Sequence, residues 1–217
     1  EPAPIFLLNN GERADPQHEV VPASISSIPD LEHVFEPAPP EAKTTHRRLQ
    51  LAKWIANPRN PLPARVFVNR LWQHHFGEAI VRTPNNFGFL ADPPTHPMLL
   101  DWLAAEFIEN GGHSKPIHKL ILTSQTWRQA SVHPEYAAYR QQDPSNRFWW
   151  HASRRRLDAE TLRDSILTAA GKLDPTIGGE PFKPTIAAEA LEGLSKKSAA
   201  YQASADDRQM RRSLYMY

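Results

Sequence analysis

The chain has 217 residues, of which 40% are hydrophobic and 23% charged, the balance of a globular protein able to bury a core. It lacks cysteine, which excludes disulfides, thiol catalysis, thiolate zinc sites and covalent haem attachment within this chain; no run approaches the roughly 18–20 apolar residues of a membrane helix. The net charge of +1 is uneven: residues 1–43 carry two Lys/Arg against eight Asp/Glu, residues 44–172 seventeen against ten, and residues 173–217 six against six.

An acidic arm therefore precedes a basic body, and the simplest reading lays the arm on the body. The chain opens on Glu1, as a piece of a longer polypeptide would. With 21 prolines against 9 glycines, its connections are expected to be stiff. Within the arm, Ile5-Phe6-Leu7-Leu8 is a candidate strand closed by the Asn9-Asn10-Gly11 turn, and Glu19 to Pro22 is a second extended piece. Ile5 to Leu8 is expected to dock the arm.

A first helix is predicted from Thr45 to Ala56, capped by Thr44 or Thr45, with Leu49, Ala52, Ile55 and Ala56 buried. The stretch ARVFVNRLWQHHFG, Ala64 to Gly77, organises the rest. Asn60 caps it, Pro61 and Pro63 fit its first turn, and Gly77 ends it. Phe67, Val68, Leu71, Trp72, His75 and Phe76 form an apolar stripe, while Arg65, Asn69, Gln73 and His74 form a second, polar face.

Ala79-Ile80-Val81 reads as extended, and Thr83 to Pro94 as a long loop whose tip Phe87, Phe89 and Leu90 pin to the core. Thr95 caps a third helix, His96 to Asn110, striped by Leu99, Trp102, Leu103 and Phe107. Ser114 caps a fourth, with Ile117, Leu120 and Ile121 on one face. His133 to Gln142 is a short helix, and Asp158 caps a helix to Ala170 with Leu162, Ile166 and Ala169 inward. Ala187 to Leu194 is a further short helix, Ser195 to Gln209 is polar enough to be mobile, and Leu214 to Tyr217 is a strand fragment. The sum is a mainly α protein, an irregular helical bundle with an extended N-terminal arm and a few short strands, organised as 1–43, 44–172 and 173–217.

ARVFVNRLWQHHFG, TPNNFGFLADPPTHPMLLDWLAAEF, KLILTSQTWRQAS, DPSNRFWW, RRRLDAETLRDSIL, the pair Gly178-Gly179 and RRSLY together resemble a planctomycete-type domain of unknown function. That domain lies toward the C-terminal end of large exported proteins that often carry cytochrome-c-like domains. The resemblance spans about residues 44–217. It implies a periplasmic or extracellular setting, a cytochrome-c-like domain as partner and haem in another domain of the parent polypeptide. No reaction or catalytic residue is carried over. The sequence departs from the family pattern at His113, where a Trp is expected, and at Tyr217, where family members continue.

The leading candidate site is the polar cluster Arg65, Asn69, Arg70, Glu160, Arg163 and Asp164, whose carboxylates and guanidiniums read either as acid–base machinery or as a structural ion-pair network. The network reading predicts that Asn69, Arg70, Arg163 and Asp164 are buried and bonded to one another or to backbone. His74-His75 lacks metal-binding geometry, since adjacent helical residues point about 100° apart, and no His-Glu-x-x-His occurs. The chain itself is expected to hold neither metal nor haem. RFWWHASRRR, residues 147–156, has the aromatic-basic mix of a single-stranded nucleic-acid platform, but the acidic residues that follow favour core and ion-pair roles. The function this supports is a non-catalytic interaction or scaffold module. The alternatives are an enzyme domain acting on extracellular carbohydrate through the polar cluster, and single-stranded nucleic-acid binding through 147–156.

Overall fold

The computed structural model describes residues 4–28, 31, 34–187, 189–190 and 201–217. Among them are six α-helices and one two-stranded sheet, so the protein is mainly α. The chain divides into two compact units, Glu1–Arg154 and Arg155–Tyr217.

The first unit opens with an antiparallel hairpin of β1 (Phe6–Leu8) and β2 (Pro16–Glu19). Asn9 to Gly11 forms the turn, and Asn9 Nδ2 donates to Asp15 Oδ2 at 2.7 Å across it. Ile5, Phe6 and Leu7 are exposed, which corrects the expectation that they dock the arm. Among the described residues of the arm, Ile28 and Leu31 are the buried apolar ones instead.

Helix α1 (Arg47–Ile55) starts at His46, whose φ of 54° gives it a left-handed entry without a side-chain cap, so neither Thr44 nor Thr45 serves. None of its residues is buried; Leu49, Ala52 and Ile55 of the expected stripe face solvent, as does Ala56 beyond its end. What fixes α1 is its C-terminal corner. The buried Asn60 donates through Nδ2 to the Trp54 carbonyl at 3.1 Å and accepts from Leu62 N at 3.2 Å, joining the end of α1 to the start of α2.

Helix α2 (Pro61–Phe76) has the expected cap, prolines and terminating Gly77, with φ of 88°. It packs against α3 (Pro97–Glu109) and α4 (Ser114–Thr123), which also contact each other. The core unites Val68 and Trp72 of α2, Leu100 and Leu103 of α3, Ile117 and Ile121 of α4, and Ile80, Val81 and Trp149 from loops. The α3 stripe is rotated from the expected one: Leu100, Leu103 and Ala104 are buried, and Trp102 is exposed. Neither Thr95 nor Ser114 is a side-chain cap, because His96 and His113 occupy those positions. In the loop before α3, Phe87 packs against the core, whereas Phe89 and Leu90 are fully exposed.

Helix α5 (Tyr136–Gln142) ends at Asp143, a mostly buried residue whose carboxylate accepts from the amides of Arg147 and Phe148, both at 2.9 Å. Asn146 Nδ2 donates to the His151 carbonyl at 2.8 Å and to Ser153 Oγ at 3.2 Å. These bonds hold Trp149 at a φ of 49°, unusual for a bulky residue, and place its ring in the core, edge-on to Trp72 at 5.1 Å.

In the second unit, α6 (Ala159–Ala169) has the expected cap, with Asp158 accepting from Thr161 N at 2.6 Å. Its expected inward residues Leu162, Ile166 and Ala169 are exposed, and the half-buried side is instead the one carrying Arg163, Asp164 and Leu167. The C-terminal stretch forms a short 3-10 turn over Ser213–Tyr215, flanked by parallel bridges Asp174 to Arg211 and Phe182 to Met216, rather than a continuous strand. The helix expected over 187–194 falls mostly outside the described residues, as does 195–200 of the stretch expected to be mobile. Its remainder is tied down: Gln209 Nε2 donates to the Ser204 carbonyl at 2.6 Å, and its Oε1 accepts from Thr185 N at 2.8 Å.

Candidate functional site

The six residues of the polar cluster divide between the units, three in each. In the first unit Asn69 is fully buried, on the core side of α2 rather than on a polar face. Its Nδ2 donates to the Val81 carbonyl at 3.0 Å, and its Oδ1 accepts from Val81 N at 2.8 Å. Ala79, Ile80 and Val81 are buried without belonging to a strand, so their backbone groups need partners from elsewhere. Asn69 supplies both for Val81, and Thr95 N supplies one for the Ile80 carbonyl at 3.0 Å.

Arg65 and Arg70 lie on other sides of α2. Arg65 Nε pairs with Asp101 Oδ1 of α3 at 3.2 Å. Arg70 is exposed, against the expectation of burial, and its Nη2 donates to Asn85 Oδ1 at 3.0 Å.

In the second unit Arg163 and Asp164 do act together. Arg163 Nη1 donates to the Arg211 carbonyl at 3.0 Å and to Ser213 Oγ at 3.1 Å, and its Nη2 donates to the Gln209 carbonyl. Asp164 Oδ1 accepts from Ser213 N at 2.8 Å and from Ser213 Oγ at 2.7 Å. Burial pushes the Asp164 carboxyl up, but the hydroxyl and amide of Ser213, with the charges of Arg163 and Arg212, outweigh this and hold it below its ordinary value. Beside this latch, Arg211 donates to the carbonyls of Glu180 and Gly178 and lies 4.2 Å from the Tyr215 ring centroid. The Tyr215 hydroxyl accepts from Gly178 N at 2.7 Å. Gly179 lies beside the Arg211 guanidinium at a φ of 85°, a left-handed conformation that favours glycine. Glu160 stays exposed in the first turn of α6.

Two of the histidines, His75 and His118, form a pair. His75 Nε2 lies 2.8 Å from His118 Nδ1, joining α2 to α4, and Trp127 stands edge-on to His75. Among the described residues no group of three or more His, Asp or Glu side chains comes together to hold a metal. Burial lowers the pKa of His96, whose ring lies 5.1 Å from that of Trp149 and 5.7 Å from that of Phe148.

The 147–156 run is split by its environment. Trp149 is core, and Trp150 stacks on Tyr139 at 5.6 Å. His151, Ala152 and Arg154 instead join Ser131, Val132 and Tyr136 in lining an open cleft of about 480 Å³. Sequence reasoning noticed this run but not the cleft, because the other half of its lining comes from an aperiodic loop.

These features define a helical domain whose distinctive polar residues knit irregular backbone to helices. The chain belongs to PSD1, a family of proteins of unknown function (DUF1553), whose model matches residues 47–217. No curated protein and no solved structure matches it.

Proposed function

We propose that the domain is a non-catalytic interaction or scaffold module of an exported multidomain polypeptide, periplasmic or extracellular, whose partner is a cytochrome-c-like domain. The observation that carries this reading is the use of the cluster: Asn69 is consumed by Val81, and Arg163 and Asp164 by Gln209, Arg211 and Ser213. A catalytic cluster needs side chains converging on open space with bonding capacity in reserve. The setting and the partner rest on the family resemblance, with the excess of Lys/Arg over Asp/Glu in residues 44–172 supplying positive charge that an acidic surface would attract.

The test is titration of the isolated chain with the cytochrome-c-like domain of its parent polypeptide at low and high salt, with oligosaccharide hydrolysis assayed in parallel. Binding that weakens as salt rises is expected. Turnover abolished by Glu160→Gln or Asp164→Asn would overturn the reading in favour of a carbohydrate-active enzyme.

A further inference from the structure

We propose that the cleft between the 131–136 loop and the 151–154 segment binds a carboxylate-bearing sugar, a uronic acid residue. This stands on the cleft alone and is independent of the scaffold reading above. Its volume of about 480 Å³ lies within the range of roughly 300–1,000 Å³ typical of small-molecule pockets.

The cleft is a built frame. Ala152 N donates to the Ala130 carbonyl at 3.0 Å, joining its two sides, and Asn146 holds the His151 carbonyl at 2.8 Å. Arg154 Nε donates to Ser131 Oγ at 3.2 Å, which orients the guanidinium and leaves its two Nη atoms without a partner among the described residues. The lining holds no carboxylate, and Arg154 is its permanently charged residue, so the cleft favours an anion. A planar fork with unspent donors matches a carboxylate.

The remaining groups call for hydroxyls and a flat apolar face. His151 Nδ1 lies 3.0 Å from the Ala152 carbonyl, an atom that only accepts, so the neutral ring carries its proton on Nδ1 and keeps Nε2 as an acceptor. Ser131 Oγ accepts from Arg154 and retains its own proton to donate. The Tyr136 ring is seated against Trp150 at 5.2 Å and His151 at 5.6 Å, a rigid aromatic wall for the C–H face of a pyranose. A neutral sugar leaves Arg154 unmatched. A bare aromatic acid leaves His151 Nε2 and the Ser131 hydroxyl unmatched.

The test is an amide NMR titration of the 217-residue chain with D-glucuronate, D-glucose and benzoate, repeated with Arg154→Gln. Glucuronate at millimolar concentration is expected to shift the amides of 131–136 and 151–154, with glucose and benzoate weaker by about tenfold or more. Arg154→Gln is expected to weaken glucuronate by a similar factor while amides outside the cleft keep their positions. No shifts in these segments, equal binding of glucose or benzoate, or unchanged affinity in Arg154→Gln would each overturn the proposal. If the variant does not fold, the three-ligand comparison on the unaltered chain decides alone.

Discussion

Asn69 holds Val81 by both of its backbone groups, at 3.0 and 2.8 Å, so that one side-chain amide stands where a neighbouring strand would be. Asn alone among side chains of this length offers a donor and an acceptor side by side with no charge. This gives Val81, in the buried irregular segment Ala79 to Val81, a partner for both its N–H and its C=O without a neighbouring strand.

Asn69→Ala is therefore expected to lose about 2–5 kcal/mol, since it strands two buried backbone groups at about 1–3 kcal/mol each and opens a void. Asn69→Asp keeps the acceptor for Val81 N but turns a carboxylate toward the Val81 carbonyl. It should be strongly destabilised at neutral pH and partly recover in acid, where the protonated carboxyl can donate. Urea melts at two pH values check both, and a loss under about 1 kcal/mol for Asn69→Ala would show that the segment repacks or admits water.

The Asp164 latch gives the second unit an acid sensitivity of its own. Its carboxyl is held below the ordinary value in the folded state, so the unfolded chain takes up the proton first as pH falls. The stabilisation is complete above the ordinary carboxylate range and is lost as pH drops through that range toward the folded value. Asp164→Ala should cost about 1–3 kcal/mol, because Ser213 N loses its partner at a site still about a quarter exposed to screening solvent. Hydrogen exchange at Ser213 and Tyr215 is the readout, and equal protection with and without the carboxylate would remove Asp164 from this role.

The same latch shows where the sequence was readable and where it was not. Asp158 and Gly171 mark the ends of α6, just as Asn60 and Gly77 mark those of α2, because capping is decided within a few residues. The inward face of α6 is set by Ser213, 49 residues from Asp164, and no periodicity carries that information. Leu162 and Ile166 therefore suggest a buried stripe that this chain leaves exposed. Asn69 misleads for a related reason. Its spacing from Arg65 and Gln73 indicates a polar face, but its partner is a backbone segment made visible only by folding. The cleft was the least legible feature, since Ser131, His151 and Arg154 lie on loops and only Tyr136, which opens α5, belongs to a helix.

The loop before α3 offers a contrast between neighbours. Phe87 is half-buried against the core, while Phe89 and Leu90 stand free. Phe87→Ala is expected to cost about 1–3 kcal/mol, below the range for a fully buried phenylalanine. Phe89→Ser and Leu90→Ser are expected to stay within about 0.5 kcal/mol of the parent chain and to improve solubility. Thermal melts of the three variants, with light scattering, measure both quantities. A large loss for Phe89→Ser would mean that its ring is covered in solution.

His96 makes the last prediction, one of pH dependence in the first unit. It sits at the N-cap of α3 beside Trp149 and Phe148, and burial lowers its pKa from the ordinary 6.5. The folded state thus favours the neutral ring, and a positive charge there would also face the positive end of the α3 dipole. As pH falls below 6.5 the unfolded chain binds a proton that the folded chain refuses, so stability declines between that value and the lower folded one, then levels off. His96→Gln cannot titrate and should not show this component. The stability gap between the parent chain and His96→Gln, from urea melts well above and well below 6.5, is therefore expected to shift against the parent chain in acid. A gap independent of pH would mean that His96 accepts its proton equally in both states and that its apolar surroundings do not reach the ring.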